Sequence, residues 1–296
     1  MMGQMSSPTA LPAEDFEALR PFLFGIAYRM TGSATDAEDI VQESWIRARR
    51  APGPGPASPR AYFATIVSRL SLDHLRSARV QREQYIGPWL PEPILSSRPP
   101  QGIDPQAIAD ARETLSFGFM VLLERLSPLE RAVFVLHEAF DFRHAEIADA
   151  LEITDAGSRQ HLRRARKRLA EGRPRFRPSP EQHAAVTRRF LEAVGSGDVS
   201  HIASMLAEDA AVVTDSGGKV PAALNAVRGR MAAARLLVGI RNKLPPERVE
   251  FVTVNGLAAA IVWQGGIRSV FVADTGADGL VHALWVLRNP EKLPPA

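Results

Sequence analysis

Two proline-rich stretches limit what this 296-residue chain can fold into. Residues 84–110 hold Pro88, Pro91, Pro93, Pro99, Pro100 and Pro105, and residues 173–180 read RPRFRPSP. Proline fixes φ and removes a backbone donor, so both stretches read as linkers that end whatever precedes them. Three segments remain. Residues 14–83 and 111–172 carry apolar residues at helical spacing, which predicts two all-α domains; residues 181–296 open helically and continue in short β-rich runs, which predicts an α+β domain. Residues 1–13, polar and proline-containing, read as a disordered start.

In the first segment, Phe16, Leu19, Phe22, Leu23, Ile26, Ala27 and Met30 form one apolar stripe. Thr31-Gly32-Ser33 breaks it, and Thr35 with Glu38 reads as a capping box opening a second helix over 36–50. The glycine and proline run 51–56 ends that helix, and Ser58-Pro59 opens a third, an N-cap with proline at N1. In the second segment a helical pattern covers 107–126. Ser127-Pro128-Leu129-Glu130 is another capping box, before a helix over 132–139.

The run Arg159 to Leu169, RQHLRRARKRL, places Leu162, Ala165 and Leu169 on one helical face, with Arg163, Arg164, Arg166, Lys167 and Arg168 around the rest. A solvated basic face is the plain reading of such a run. A short helix over 143–152 precedes it, then a break at Ile153-Thr154, with Thr154 as N-cap and Asp155 complementing the helix dipole. Two short helices joined by a tight turn, the second basic, read as a DNA-binding helix-turn-helix.

Composition narrows the remaining choices. The chain has no cysteine, which excludes disulfides and thiolate metal sites and suits a reducing cytoplasm. No apolar run is long enough to span a bilayer, and the N-terminus lacks a signal-peptide pattern, so no membrane partner is expected. Net charge is only +3, and the basic excess is concentrated in 111–178, a local footprint for nucleic acid rather than a strongly basic protein.

The stretch AYRMTGSATDAEDIVQESWIRARR, followed by PRAYFATIVSRLSLDHLRSAR, closely resembles region 2 of bacterial sigma factors of the extracytoplasmic-function class over residues 14–83. The resemblance implies docking of the 36–50 helix on core RNA polymerase through Asp36, Asp39, Gln42, Glu43 and Trp45, an acidic, amide-bearing face with one aromatic anchor. Trp45 also reads as a core residue. It further implies contacts to the promoter's minus-ten element through Arg60, Tyr62, Phe63, Arg69 and Arg76, residue types that stack on unpaired bases or meet phosphates, with plain packing as the other reading. Residues 111–171 resemble region 4 of the same class, implying minus-thirty-five contacts from Arg159, Gln160, Arg163 and Arg164. Glu152 stands in the turn where glycine is common, and Ser158 where an apolar residue usually packs.

The third segment reads as helices over 181–194, 199–206 and 226–240 and strands over 211–214, 249–254, 258–263, 269–273 and 281–287, with turns at Asn255-Gly256 and 276–279. It looks like the cone-shaped SnoaL-like domain that one group of these sigma factors carries. Three motifs support the likeness: Trp89-Leu90-Pro91-Glu92-Pro93, Asp215-Ser216-Gly217-Gly218-Lys219 resembling D-G-G-G-K, and Asn289-Pro290-Glu291-Lys292-Leu293 resembling N-P-D-K-L. Docking of the Trp89 segment against the other two would make this domain a regulator; loops that merely cap the sheet are the plain alternative. An isomerase-like role would draw on Asp215, His282, Asp274 or Trp263, none at a spacing that compels chemistry. The expected protein is a three-domain cytoplasmic sigma factor, not an enzyme, with core RNA polymerase and promoter DNA as partners, no cofactor or metal, and a small ligand for the last domain left open. The alternative is a helix-turn-helix regulator with a ligand-sensing or isomerase-like domain.

Overall fold

The computed structural model describes residues 13–50, 58–96, 116–170 and 178–293, without the side chains of 79–83 and 96. Residues 1–12 of the expected disordered start, the run 51–56, the whole of 97–115 and the stretch 173–177 therefore lie outside the described residues, while Ala13 already opens a helix. The chain forms two compact units, Met1–Val80 with Leu123–Glu171 and Gln81–Leu122 with Gly172–Ala296.

The first unit is helical. It holds α1 (Ala13–Thr31), α2 (Ala34–Arg50), α3 (Pro59–Glu83, of which the residues to Val80 belong here), α5 (Pro128–Phe140), α6 (His144–Leu151) and α7 (Asp155–Ala170). The apolar stripe expected in α1 is its buried face: Phe16, Leu23, Ile26, Ala27 and Met30 are inside. Helix α2 starts earlier than its sequence suggests, because the Ser33 hydroxyl accepts from the Asp36 N–H at 3.0 Å and so takes the capping place expected of Thr35. The capping box at Ser127 forms in full, with Glu130 reaching back to the Ser127 N–H at 3.0 Å. Arg131, 1% exposed, ties α5 to α1 by donating Nε–H to the Arg29 carbonyl at 2.8 Å and pairing with Glu124.

The second unit is built on a seven-stranded sheet in the order β1-β4-β5-β6-β7-β2-β3. Its strands are β1 (Leu95–Ser96), β2 (Leu206–Asp215), β3 (Val227–Arg228), β4 (Arg248–Val254), β5 (Leu257–Gln264), β6 (Ile267–Thr275) and β7 (Val281–Leu287). Neighbours pair antiparallel except β2 with β7, which are parallel. Helices α8 (Pro180–Ser196), α9 (Val199–Ser204) and α10 (Arg230–Lys243) pack on one face, around Phe190, Ile202, Leu237 and Val286. The other face buries Trp285, Leu287, Val270 and Val272 beneath Leu90 and Phe117. Phe117 opens α4 (Phe117–Leu123), where Gly118 lets the helix approach so closely that a Cβ would lie 2.8 Å from the Trp285 ring.

The helix expected from 226 begins at Arg230, because Val227 and Arg228 instead pair with Val212 and Ala211 as an edge strand. The described part of the expected linker is not a free spacer: Leu90 is 2% exposed, and Leu95 and Ser96 pair with Val254 and Thr253. Burying one leucine contributes about 1.5–3 kcal/mol, enough to hold a short segment that its prolines have already stiffened.

Candidate functional site

Three groups of residues stand out, the first on α7. Leu162, Ala165, Leu169 and Ser158 face inward, while Arg159, Gln160, Arg163 and Arg164 are exposed, as the sequence spacing requires. The turn before α7 rests on Glu152, whose φ of 56° is the left-handed conformation that a glycine would occupy without strain. The Thr154 hydroxyl accepts from the Gly157 N–H at 3.0 Å and caps the helix. Ser158, the polar replacement of an apolar residue, is fully buried and meets His144 Nδ1 at 2.9 Å, so its hydroxyl is satisfied. Arg159 pairs with Asp155 and Arg166 with Glu138; Arg163 and Arg164 form no ion pair among the described residues. That leaves an exposed pair of guanidinium groups one helical step apart, suited to phosphates and base edges.

The second group lies on α2 and α3. Asp39 and Gln42 are exposed, Glu43 is half-buried and pairs with Arg47 at 2.7 Å, and Asp36 lies 3.3 Å from His74 Nε2. Trp45 is half-buried and stacks on Phe16 with centroids 4.7 Å apart, so it serves the core while remaining partly accessible. Among the expected minus-ten residues, Arg60, Arg69 and Arg76 are exposed and Tyr62 is half-buried. Phe63 is a correction. It is 0% exposed, packed against both Phe16 and Trp45, and its ring has no face left for a base. Arg60 lies over the Phe22 ring at 4.3 Å. Arg69 is occupied by the helix-turn-helix: its guanidinium donates to the carbonyls of Ala150 at 2.7 Å and Asp149 at 3.0 Å and pairs with Glu152 at 3.0 Å. A cation on the last turn of α6 is favoured by the helix dipole.

The third group joins the three short motifs. Asp215, at the end of β2, is fully buried, and its carboxylate accepts from Lys292 Nζ at 2.7 Å, the Leu90 N–H at 2.8 Å and the Tyr85 hydroxyl at 2.5 Å. Lys292 also donates to the Leu90 carbonyl at 2.7 Å and lies 4.0 Å over the Trp89 ring, a cation–π contact in a desolvated setting. Pro91 is buried beside Leu90. Asn289 donates to the Tyr85 oxygen at 3.0 Å, and Pro290 starts a short 3-10 turn that carries Lys292. Burial, with Asp215 beside it, pushes the Tyr85 phenol well above its ordinary range, so it remains a donor. Gly217 and Gly218 have φ of 57° and 72°, and a Cβ there would lie 2.6 Å from Asn289 and 2.8 Å from Ile86. Ser216, where a glycine was expected, has an ordinary φ and stands without strain. Lys219 pairs with Glu291 at 2.8 Å. Tyr85 was not legible as a member of this group, since nothing in its neighbourhood marks one tyrosine as a carboxylate partner.

The same sheet holds a cavity of about 90 Å³ on its helix-covered face. Its walls include Leu191, Val212, Leu237, Phe271 and Val286, and its polar members are Thr214, Gln264, Arg241 and Arg288. No carboxylate lines it, and Asp274, His282 and Trp263 are absent from its wall. Asp215 is held by the motif cluster instead, so no group stands ready to remove a carbon-bound proton there.

The family Sigma-70 region 2 matches residues 16–80 and Sigma-70, region 4 matches residues 117–169. The chain is 40% identical to the ECF RNA polymerase sigma factor SigJ of Mycobacterium tuberculosis, over 95% of this chain and 93% of that one. It is 36% identical to the probable ECF RNA polymerase sigma factor SigI of the same species, over 64% of this chain and 65% of that one. The crystal structure of Mycobacterium tuberculosis SigJ superposes with a TM-score of 0.77 at 36% identity, covering 95% of this chain and 98% of that chain.

Proposed function

The chain belongs to the extracytoplasmic-function sigma factors of RNA polymerase, and from that premise we propose how its residues divide the work. It binds core RNA polymerase, directs promoter-specific initiation, and is not an enzyme. Asp36, Asp39, Gln42, Glu43 and the accessible part of Trp45 form the polymerase-docking face. Arg60, Tyr62, Arg69 and Arg76 serve the minus-ten element, and Arg159, Gln160, Arg163 and Arg164 the minus-thirty-five element. The domains run as 14–83, 111–172 and 181–296. A cytoplasmic location follows from the place of transcription, and among the described residues no helix is long and apolar enough to cross a membrane.

The C-terminal domain regulates, and the observation that carries this is the buried Asp215–Lys292 pair closing on the backbone of Leu90. The segment joining the two promoter-reading regions is thereby held by the regulatory domain. Arg69 adds a constraint of its own: while it binds the α6 carbonyls it is withheld from DNA.

Run-off transcription with purified core polymerase, on DNA from upstream of the chain's own gene, tests the whole reading. Full-length protein should give a defined transcript, Asp39→Ala should lose polymerase co-migration, and Lys292→Met should change the yield. Equal transcript from Lys292→Met and the parent chain would reject the regulatory role.

A further inference from the structure

Arg288 follows the last residue of β7 and is 7% exposed. Its Nη1 donates to the Pro221 carbonyl at 3.0 Å, while Nε and Nη2 are buried without a hydrogen-bond partner. Those two nitrogens form one edge of the guanidinium, and their N–H groups point the same way, matching the two oxygens of a carboxylate. Leaving the donors of a charged group buried and unmet is unfavourable. Burial also lowers the Arg288 pKa, and a bound anion would reverse that.

The setting is selective. The cavity that Arg288 lines holds a second cation, Arg241, two neutral polar groups, Thr214 and Gln264, and no acid. The rest is aliphatic or aromatic, so a fully hydrated ion such as phosphate would leave most of its oxygens unmet. About 90 Å³ is several times the space one water needs, and fits a short organic body. We propose that this cavity binds a small organic monocarboxylate, with the Arg288 side chain in its wall as the cationic partner, turned so that its two unmet N–H groups reach the carboxylate, and the apolar body against Leu191, Leu237 and Phe271.

The site is wired to the motif cluster through the backbone. The N–H groups of Arg288 and Asn289 both donate to the Asp215 carbonyl, at 2.7 and 3.0 Å. Thr214 faces the cavity and Asp215, its neighbour on the strand, joins the cluster. A ligand that draws Arg288 inward therefore acts on the residue next to Asn289 and on the strand that carries Asp215. This coupling rests on the regulatory reading above; the binding itself does not.

Calorimetric titration of the full-length chain with octanoate and phenylacetate separates open-chain from aromatic acids, with 1-octanol as the uncharged control. At least one acid should bind saturably at one site, tenfold or more tighter than 1-octanol. Arg288→Gln should erase that preference, and Ala223→Phe, which narrows the cavity without removing a core side chain, should weaken acid and alcohol alike. No binding by either acid, or binding that Ala223→Phe leaves unchanged, overturns the site. Binding with no change in run-off transcript keeps the site and rejects its coupling to Asp215.

Discussion

Lys292 and Asp215 are 8% and 0% exposed at their side chains, so neither charge has water to fall back on. Removing one partner of such a pair typically costs about 3–5 kcal/mol, because the other is left charged and buried. Lys292→Met should therefore destabilise the C-terminal domain by about that amount in urea denaturation. The double variant Lys292→Met with Asp215→Asn should lose less than the sum of the two singles. His183 makes a second residue-scale case. It is 4% exposed, accepts the Thr275 hydroxyl at Nδ1 (2.7 Å) and meets the Ala258 carbonyl from Nε2 at 3.0 Å. Burial lowers its pKa, so as pH falls below the ordinary histidine value of about 6.5 the unfolded chain takes up a proton that the folded one resists. Stability should be full above that pH and decline beneath it, and His183→Gln should flatten the decline. Nothing near this histidine in the chain marks it, because its partners lie 92 and 75 residues further on, in two strands.

At the scale of elements, the helix-turn-helix was readable because each of its devices is local. Thr154 caps within one turn, and the inward face repeats every three or four residues. The phase of α7 follows from Leu162, Ala165 and Leu169 alone, which is why the exposure of Arg163 and Arg164 came out as expected. Arg163→Ala should weaken promoter binding by the holoenzyme and reduce the slope of log affinity against log salt by about one. A slope unchanged by the substitution would place Arg163 off the phosphates. Phe63 was misread at this same scale. An aromatic on α3 fits base stacking and core packing equally, and only the positions of Phe16 and Trp45, on two other helices, decide between them. The strand pairings at Leu95-Ser96 and Val227-Arg228 are silent in the sequence for a related reason: two residues carry too little periodicity to announce a strand.

For the molecule as a whole, the order of the chain was legible and its grouping was not. Proline content separates the segments, but says nothing of which body the prolines join. Residues Gln81–Leu122 group with the C-terminal domain, while the chain before and after them forms the helical unit. This has a consequence in polymer terms. A free stretch of about 42 residues would have a root-mean-square reach of roughly 35 Å or more, and would leave the two promoter-reading regions loosely leashed. Anchoring at Leu90 and again at Leu95 shortens that leash. A short leash raises the local concentration of the second region at its element only when the DNA spacing matches, and lowers it otherwise. The sigma factor with its anchor intact should therefore transcribe over a narrow range of spacings between the two elements, and Lys292→Met over a wider one. A template series with the spacer lengthened and shortened one base pair at a time would read that range directly, and equal ranges for both proteins would mean the anchor does not set the measure of the promoter.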